Sequence, residues 1–247
     1  MSRRTVLGMA LALFLSLSAC TPDVNSEFMK AVEDGDSEKI QALLEEGADV
    51  NTQNEEGWSA IIAMSMFGNS RTVQILLDAG ANVNRQDKLG RNALFWAVGG
   101  NHSDTVRILL EAGADVNVIT GVGLTPLIHA VLLEHTQIVE ALVAAGADLN
   151  TRDEQGQTAL FNALLEETET VGTLIEAGAD VNIGNESEIS PLMLAIVGDN
   201  IQIVRKLLEA GAEVNAKDVA GRTAYMTAVA MDHREIIEVL ERAGAEQ

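Results

Sequence analysis

The side chains that most often carry chemistry are few in this sequence, and their spacing does not bring them to one place. The chain has four histidines and one cysteine: His102, His129, His135, His233 and Cys20. A metal site in a protein needs several converging ligands, and no cysteine, aspartate or glutamate stands at ligand spacing from His129. The sequence therefore predicts no metal and no cofactor.

Two other patterns are also explained better without catalysis. The adjacent acids Glu166 and Glu167 are typical of a solvated surface rather than of a general acid and base. The sequence Gly-Val-Gly at residues 121–123 is not followed by the lysine of a phosphate-binding loop. Because the serines and threonines fall mostly at predicted helix caps and turns, we expect the protein not to be an enzyme.

A seven-residue motif recurs along the chain and sets its organisation. EAGADVN at residues 111–117 occurs again unchanged at 176–182 and in altered form at five other places, the last of them truncated. The central glycines of the motif are spaced by 32 or 33 residues: Gly47, Gly80, Gly113, Gly146, Gly178, Gly211 and Gly244. A fixed period of this length indicates a solenoid, in which each unit contacts only its neighbours.

Each unit predicts the same series of elements. It opens with a turn that has Asp, Asn or Thr at its first position and usually Gly at its fourth, as in Asp87-Lys-Leu-Gly90. Ser, Thr or Asn then caps a first helix of about ten residues. A second, amphipathic helix ends at the motif glycine in a left-handed conformation. The histidines at 102, 135 and 233 share one position at the start of this second helix, so we expect them to be structural.

This unit resembles the ankyrin repeat, most specifically in TPLIHA at residues 125–130 and in the recurring GADVN. The resemblance covers residues 26–247 and implies an all-α repeat solenoid of about seven helix pairs with projecting β-hairpin fingers. It also implies that a protein partner binds in a concave groove between the fingers and the first helices. The implied units are an N-terminal cap at 26–50, repeats at 51–83, 84–116, 117–149, 150–181 and 182–214, and a C-terminal cap at 215–247.

Two departures from the family pattern predict local differences. The position of the family's histidine in TPLH is apolar in every unit: Ile62, Phe95, Ile128, Phe161, Met193 and Met226. We expect apolar packing there in place of a side-chain hydrogen bond. The fifth unit is one residue short near residues 164–169, and the next turn has Glu188 in place of glycine. We expect this region to be the least regular.

The start of the chain predicts export and lipidation. Residues 1–19 combine a basic pair with an apolar run at 6–17, as in a secretory signal peptide. The sequence LSAC at 17–20 is similar to the lipobox of bacterial lipoproteins, which implies lipidation of Cys20 and a short tether over residues 20–25. Because Thr21 rather than aspartate follows, the resemblance favours the outer membrane, with the array facing the periplasm. The alternative is an ordinary signal peptide with a coincidental cysteine.

The charge of the chain excludes some partners and suggests others. The formal net charge of −21 repels nucleic acid and anionic headgroups, so we expect no nucleic-acid binding and membrane contact only through the lipid. No small-molecule substrate is expected, and we expect a monomer. Between Arg152 and Arg205 the chain has ten acids and no Lys or Arg. A solvated acidic face explains this run, and a basic protein partner is the alternative.

The predicted binding surface follows from the positions that face the groove in the ankyrin family. Its members are Trp58, Met66, Phe67, Leu89, Arg91, Val122, Leu124, Leu132, Leu133, Glu154, Gln157, Glu166, Glu186 and Ile189. Contiguous exposed apolar and aromatic side chains mark interfaces. The alternative explanation is a groove that closes on itself, or more tightly packed fingers, and the interface interpretation is favoured over it.

The sequence thus predicts a membrane-anchored protein-binding module of the bacterial envelope. One candidate role is an immunity protein that occludes a basic, periplasm-acting toxin. Another is a scaffold for an envelope stress or antioxidant enzyme. Glycan binding is a third candidate, because Trp58 offers an aromatic face in the predicted groove.

Overall fold

The computed structural model describes residues 23–165 and 169–246, which form seven consecutive pairs of α-helices. The helices are α1 (Val24–Asp34), α2 (Ser37–Glu45), α3 (Ala60–Met66), α4 (Ser70–Asp78), α5 (Ala93–Gly99), α6 (Ser103–Glu111), α7 (Pro126–Leu132), α8 (Thr136–Ala144), α9 (Ala159–Leu165), α10 (Thr170–Glu176), α11 (Pro191–Val197), α12 (Ile201–Glu209), α13 (Ala224–Ala230) and α14 (Arg234–Arg242). The predicted all-α repeat solenoid of seven helix pairs is confirmed.

The helices form two layers. The odd-numbered helices pack against one another in chain order from α1 to α13, and the even-numbered helices do so from α4 to α14. Helix α5 is buried along most of its length, whereas α6 buries Thr105, Val106 and Leu109 and exposes Arg107 and Glu111. The core therefore lies within the first layer and along the face that the second layer turns towards it.

The first helices are seven residues long from α3 onward, shorter than the ten residues expected. Apart from α9, which is followed by residues outside the described part of the chain, each is stopped by a residue with positive φ close after its end, such as Gly68 at 67°, Asn101 at 56° and Glu134 at 57°. A left-handed residue directs the chain away from the helix axis and ends the hydrogen-bonding pattern. The short helices leave room in each 33-residue unit for the loop and the finger.

The turns between units form the fingers as predicted. In the finger that begins at Asp87, one carboxylate oxygen accepts hydrogen bonds from the backbone N–H groups of Leu89 (2.9 Å) and Arg91 (3.0 Å), and Gly90 has φ 76°. Neighbouring fingers are joined by backbone hydrogen bonds, as from Gly121 N–H to the Leu89 carbonyl (2.9 Å). Within a finger, the two arms pair through isolated bridges in the described residues, Gln53 with Ser59 and Lys217 with Thr223, and they do not form extended strands.

A ladder of asparagines connects successive units along the motif loops. Each member accepts a hydrogen bond through Oδ1 from a backbone N–H of the next motif, at 2.7–2.9 Å. The asparagine ladder consists of Asn51, Asn84, Asn117, Asn150, Asn182 and Asn215. Asn25 in α1 makes the same bond to Asp49 N–H (2.8 Å), which ties the first helix pair to the series. The final Asn of GADVN thus has a defined structural purpose.

The apolar residues at the TPLH position and the histidines at the start of the second helices lie largely where the sequence predicts them. Five of the six apolar residues at the TPLH position are buried, but Met226 is 49% exposed because no helix pair among the described residues packs over it. The ring of His102 lies 3.0 Å from the Met66 carbonyl (Nε2 to O), and that of His135 lies 2.9 Å from the Val98 carbonyl (Nδ1 to O). These two histidines join a second helix to the first helix of the preceding unit, which is a structural role.

Local boundaries differ from the sequence-based ones in two places. Helix α1 begins at Val24, two residues before the expected start of the repeat domain at 26. Glu188 adopts φ 57° at the turn position that holds a left-handed glycine in the other fingers, so the backbone keeps its shape at a steric cost. The expected irregularity near residues 164–169 falls mainly on residues 166–168, which lie outside the described residues.

None of the helices within residues 23–165 and 169–246 is both long enough and apolar enough to cross a bilayer. Cys20 and the predicted signal peptide precede the described part of the chain.

Candidate functional site

Large apolar side chains are exposed at equivalent positions of the second to fourth units. Phe67 and Leu133 occupy one position after the first helix, and Leu89 and Val122 occupy one position at the finger tip. With Leu132, these five side chains are 38–59% exposed. We call this set the groove surface: Phe67, Leu89, Val122, Leu132 and Leu133. Exposed apolar side chains that recur along a solenoid are a feature of binding surfaces.

A first cleft of about 560 Å³, including space open to solvent, lies beside Phe67. Trp58 and Met66 line it together with Met29 and Val32 from α1. The predicted residues Trp58, Met66 and Phe67 are therefore brought together. Trp58 and Met66 are half-buried rather than exposed as expected, because Trp58 packs on the core and both residues form the cleft wall.

Ser59 shows that this cleft differs locally from the other units. In the first helices from α5 onward, the equivalent residue caps the helix, as Thr125 does by accepting a hydrogen bond from Ile128 N–H (3.2 Å). Ser59 makes no such bond, and its buried Oγ has no hydrogen-bond partner among the described residues. The cleft wall therefore includes one unsatisfied hydroxyl group.

A rigid network separates the first cleft from a second one. The rings of Trp58 and Trp96 lie 4.8 Å apart, and the guanidinium of Arg91 lies 4.1 Å from the centre of the Trp96 ring. The buried carboxylate of Asp87 accepts hydrogen bonds from Arg91 Nε (2.7 Å) and Trp96 Nε1 (3.2 Å). Because the carboxylate is almost fully buried, this charged pair holds both side chains in one position.

The second cleft, of about 790 Å³ including space open to solvent, lies between two fingers and the first helices behind them. Its lining brings together four of the predicted residues: Leu89, Arg91, Val122 and Leu124. Leu124 is half-buried rather than exposed, because it packs against the core. Phe95, Trp96 and His129 complete the aromatic side of the cleft.

His129 is the least expected member of the second cleft. Its ring stacks on Phe95 at 4.3 Å, and Gly99 leaves room for it, since a Cβ there would lie 2.9 Å from His129 Cε1. The buried Nδ1 atom has no hydrogen-bond partner of acceptable geometry within the described residues. Burial lowers the pKa of His129, His135 and Arg91 lower it further through their positive charges, and the Phe95 carbonyl opposes them. The ring is therefore held in its neutral form in a largely apolar site.

The remaining predicted residues lie outside the two clefts. Glu154 and Glu186 are exposed on successive fingers, whereas Gln157 and Ile189 are half-buried at the finger bases. Gln157 lies there because its backbone N–H is bound by Asp153 Oδ1 (2.8 Å), and Ile189 packs against the core. Glu166 and Cys20 fall outside the described residues. The predicted residues thus divide between two mainly apolar clefts and the exposed acids of the fingers that follow them.

Trp96, His129 and Asp87 were not among the predicted site residues. Trp96 and His129 stand 33 residues apart at the same position of successive units, so the period itself relates them. For Trp96 the signal that could have selected it is Asp87, which begins the finger of the same unit and accepts the indole N–H. Within residues 23–165 and 169–246, no group of three or more His, Cys, Asp or Glu residues could hold a metal ion.

Stacked helix pairs with fingers define the chain as an all-α repeat solenoid. A family model for ankyrin repeats matches residues 28–120, 118–185 and 167–247, and the chain therefore belongs to the ankyrin-repeat family. Ankyrin repeats are protein–protein interaction modules, and this chain is such a module. A search of curated proteins found no match to the sequence.

Proposed function

We propose that the chain binds a protein partner through the groove surface and the two clefts beside it. The observation that supports this proposal is the exposure of five large apolar side chains at repeated positions over three consecutive units. Leaving such side chains in water costs about 25 cal/mol per Å² of apolar area, which a partner would recover on binding. The paired tryptophans and Arg91 next to them are residue types that dominate binding energy at interfaces.

The partner is a basic protein under this proposal. Glu154 and Glu186 are exposed on the fingers that follow the apolar clefts, and neither forms an ion pair within the described residues. The run of ten acids without Lys or Arg between Arg152 and Arg205 extends this negative stretch. Complementary charge raises the association rate and selects the partner more than it adds affinity.

The site of action in this proposal is the bacterial envelope, with the array tethered through a lipid on Cys20. The lipobox-like sequence at 17–20 supports the anchor, and anchoring by several acyl chains is effectively permanent. Two partner classes fit this location: a toxin, with the chain as its immunity protein, and an envelope stress enzyme, with the chain as its scaffold. Replacing Cys20 with Ser should release the chain from membranes or leave it unprocessed, as measured by fractionation and mass; a normally processed, membrane-bound variant would refute lipidation.

The test of the binding surface uses matched variants. Partners are captured from solubilised membranes and identified, and their affinity is then measured by calorimetry for Phe67→Ala, Leu89→Ala and Met226→Ala. Each groove variant should weaken binding by about 2–4 kcal/mol if its side chain is a hot spot. Met226 is similarly exposed but lies on the end of the stack, so its variant should bind normally. Equal affinities for all three variants, with unchanged circular dichroism, would place the interface elsewhere.

A further inference from the structure

The first cleft is open because one position of helix α3 holds a small residue. The fourth residue of α3 is Ala63, which lines the cleft, whereas the later first helices have a larger residue there: Trp96, His129, Asn162, Leu194 and Thr227. In the third unit, Trp96 occupies the corresponding place and donates its indole N–H to Asp87 (3.2 Å). The space that Trp96 fills in the third unit is therefore available in the second.

Glu33, near the end of α1, is the one ionisable residue among those that line this cleft. It occupies the same position as Met66, because each is followed two residues later by a left-handed glycine, Gly35 or Gly68. No later first helix carries a charge at this position, which holds Met66, Gly99, Leu132, Leu165, Val197 and Ala230. Polar residues on the outer face of a terminal unit keep a solenoid soluble, but Glu33 lines a cleft formed with Trp58 and Met66 of the second unit. Solubility of the end of the stack therefore does not account for Glu33.

The carboxylate of Glu33 has no counter-ion within residues 23–165 and 169–246. Its side chain is exposed, and it takes part in none of the ion pairs there. Lys30 in α1 and Lys88 on the next finger are exposed, but neither lines the cleft or pairs with Glu33. The finger that begins at Asn54 adds two more exposed acids without an ion pair, Glu55 and Glu56. The edge of the cleft therefore favours a positive group.

The walls of the cleft are suited to a particular cation. Trp58 and Phe67 both line it, and a guanidinium is attracted to aromatic faces and is more weakly hydrated than an ammonium group. The third unit contains such an arrangement: the Arg91 guanidinium lies 4.1 Å from the centre of the Trp96 ring and 2.7 Å (Nε to Oδ2) from a carboxylate. The first cleft has an indole and a carboxylate but no cation among its lining residues.

We propose that the first cleft binds an arginine side chain of the protein partner, with the guanidinium between Glu33 and the rings of Trp58 and Phe67. The methylene groups of the arginine pack against Met29 and Met66, which complete the apolar wall. The inference rests on the proposed protein-binding function and specifies one group that the basic partner presents.

The charge of Glu33 selects arginine over an apolar side chain. A partner that covered the cleft with an apolar residue would take the carboxylate out of water without a counter-ion, which is unfavourable. A lysine would supply the charge, but its ammonium group loses more hydration in an apolar cleft and does not stack on a ring.

The proposal is tested by nuclear magnetic resonance titration with four N-acetylated, C-amidated peptides Gly-X-Gly, in which X is arginine, citrulline, lysine or norleucine. The shifts of the Trp58 indole N–H and the Phe67 amide report binding. The arginine peptide should bind about tenfold more tightly than the citrulline and norleucine peptides, which lack the charge, and about threefold more tightly than the lysine peptide.

Several results would overturn the proposal. Equal affinity for citrulline would mean that the charge is not recognised, and equal or tighter binding of norleucine would make the cleft a purely apolar site. Equal affinity for lysine would remove the selection of arginine. The absence of a saturable shift with the arginine peptide would exclude the site altogether.

Three variants make the assignment specific, with thermal unfolding to verify that each is folded. Glu33→Gln should weaken the arginine peptide about tenfold and leave the citrulline peptide unchanged. Asp34→Asn is the matched control, because it removes the same charge at the next residue, which is exposed and does not line the cleft. Ala63→Leu introduces the residue found at this position in the sixth unit, Leu194, and should fill the cleft and abolish binding while Glu33 remains. Equal losses for Glu33→Gln and Asp34→Asn, or unchanged binding by Ala63→Leu, would refute the site.

These outcomes separate the two proposals. If no peptide binds while Leu89→Ala still weakens the captured partner, the arginine site is wrong and the groove function stands. If the arginine peptide binds as expected while Glu33→Gln and the groove variants leave the captured partner unaffected, the cleft recognises arginine and the proposed interface is wrong.

Discussion

Replacing Glu188 with glycine should stabilise the protein. Glu188 has φ 57° at the fourth position of its turn, whereas the equivalent Gly57, Gly90 and Gly221 have φ of 75–82°. A side chain with a Cβ atom is strained in this left-handed region, because the Cβ approaches the backbone carbonyl. The strain at Glu188 is therefore present in the folded chain and absent from the unfolded one.

The size of the effect follows from two opposing contributions. Relief of the left-handed conformation contributes about 1–2 kcal/mol, and the extra freedom of glycine in the unfolded chain offsets about 0.5–1 kcal/mol of this. The net gain in the free energy of unfolding should be about 0.5–1 kcal/mol, which for a domain of this size raises Tm by about 1–4 °C. Removing a carboxylate from the acidic stretch adds a separate electrostatic contribution.

Two control variants isolate the backbone effect, with stability measured by urea and thermal unfolding followed by circular dichroism at pH 7. Glu188→Gln removes the charge and keeps the Cβ, so it should recover only the electrostatic part. Gly221→Glu is the reverse change at φ 75°, where an added Cβ meets no atom within 4 Å, and it should destabilise by a similar amount. If Glu188→Gly and Glu188→Gln had equal midpoints, the strain argument would be wrong.

Three further changes test other contacts. Asp87→Ala should lower the free energy of unfolding in urea by about 2–4 kcal/mol, because it leaves the guanidinium of Arg91 and two turn N–H groups without their acceptor. A change near zero would mean that water replaces the carboxylate. Asn84→Ala should cost about 1 kcal/mol or more, since Asn84 accepts from Asp115 N–H (2.7 Å) and donates to the Gly113 carbonyl (3.2 Å), and hydrogen exchange should quicken at that amide. The pKa of His129 is lowered in the folded protein, so folding favours the neutral ring. The contribution of the ring to the free energy of unfolding is complete above its unfolded pKa near 6.5 and is lost as pH falls. His129→Asn should therefore reduce the loss of stability between pH 7 and pH 5, and identical pH profiles would contradict the burial of the ring.

The sequence was sufficient to predict the architecture, because each element is specified locally and repeated. The turn residue Asp87, the cap Thr125 and the left-handed Gly113 each act within a few residues of themselves. The helix lengths were harder to predict from the sequence. The first helices end where Asn101 and Glu134 adopt positive φ, which residues with a Cβ atom rarely do.

The candidate site was predictable only where exposure follows from repeat position. Phe67, Leu89 and Val122 are exposed as that position implies. Trp58 and Leu124 are partly covered, because neighbouring side chains such as Trp96 fill the space that the repeat position leaves open. His129 was not predicted as a site residue, because its position in the second cleft follows from packing against Phe95 that only the structure shows.

The asparagine ladder implies a rule about how such a chain can lengthen or shorten over evolution. Every asparagine of the ladder binds a backbone N–H of the next motif. Deleting or duplicating one complete unit therefore leaves each Asn with a hydrogen-bond donor, whereas a deletion of arbitrary length would leave one Asn without its donor. The short fifth unit fits this rule: Asn150 meets Asp180 N–H at 2.9 Å across 30 residues, where its counterparts span 31. The missing residue is therefore absorbed between the two residues that this hydrogen bond joins, and the register of the following units is preserved.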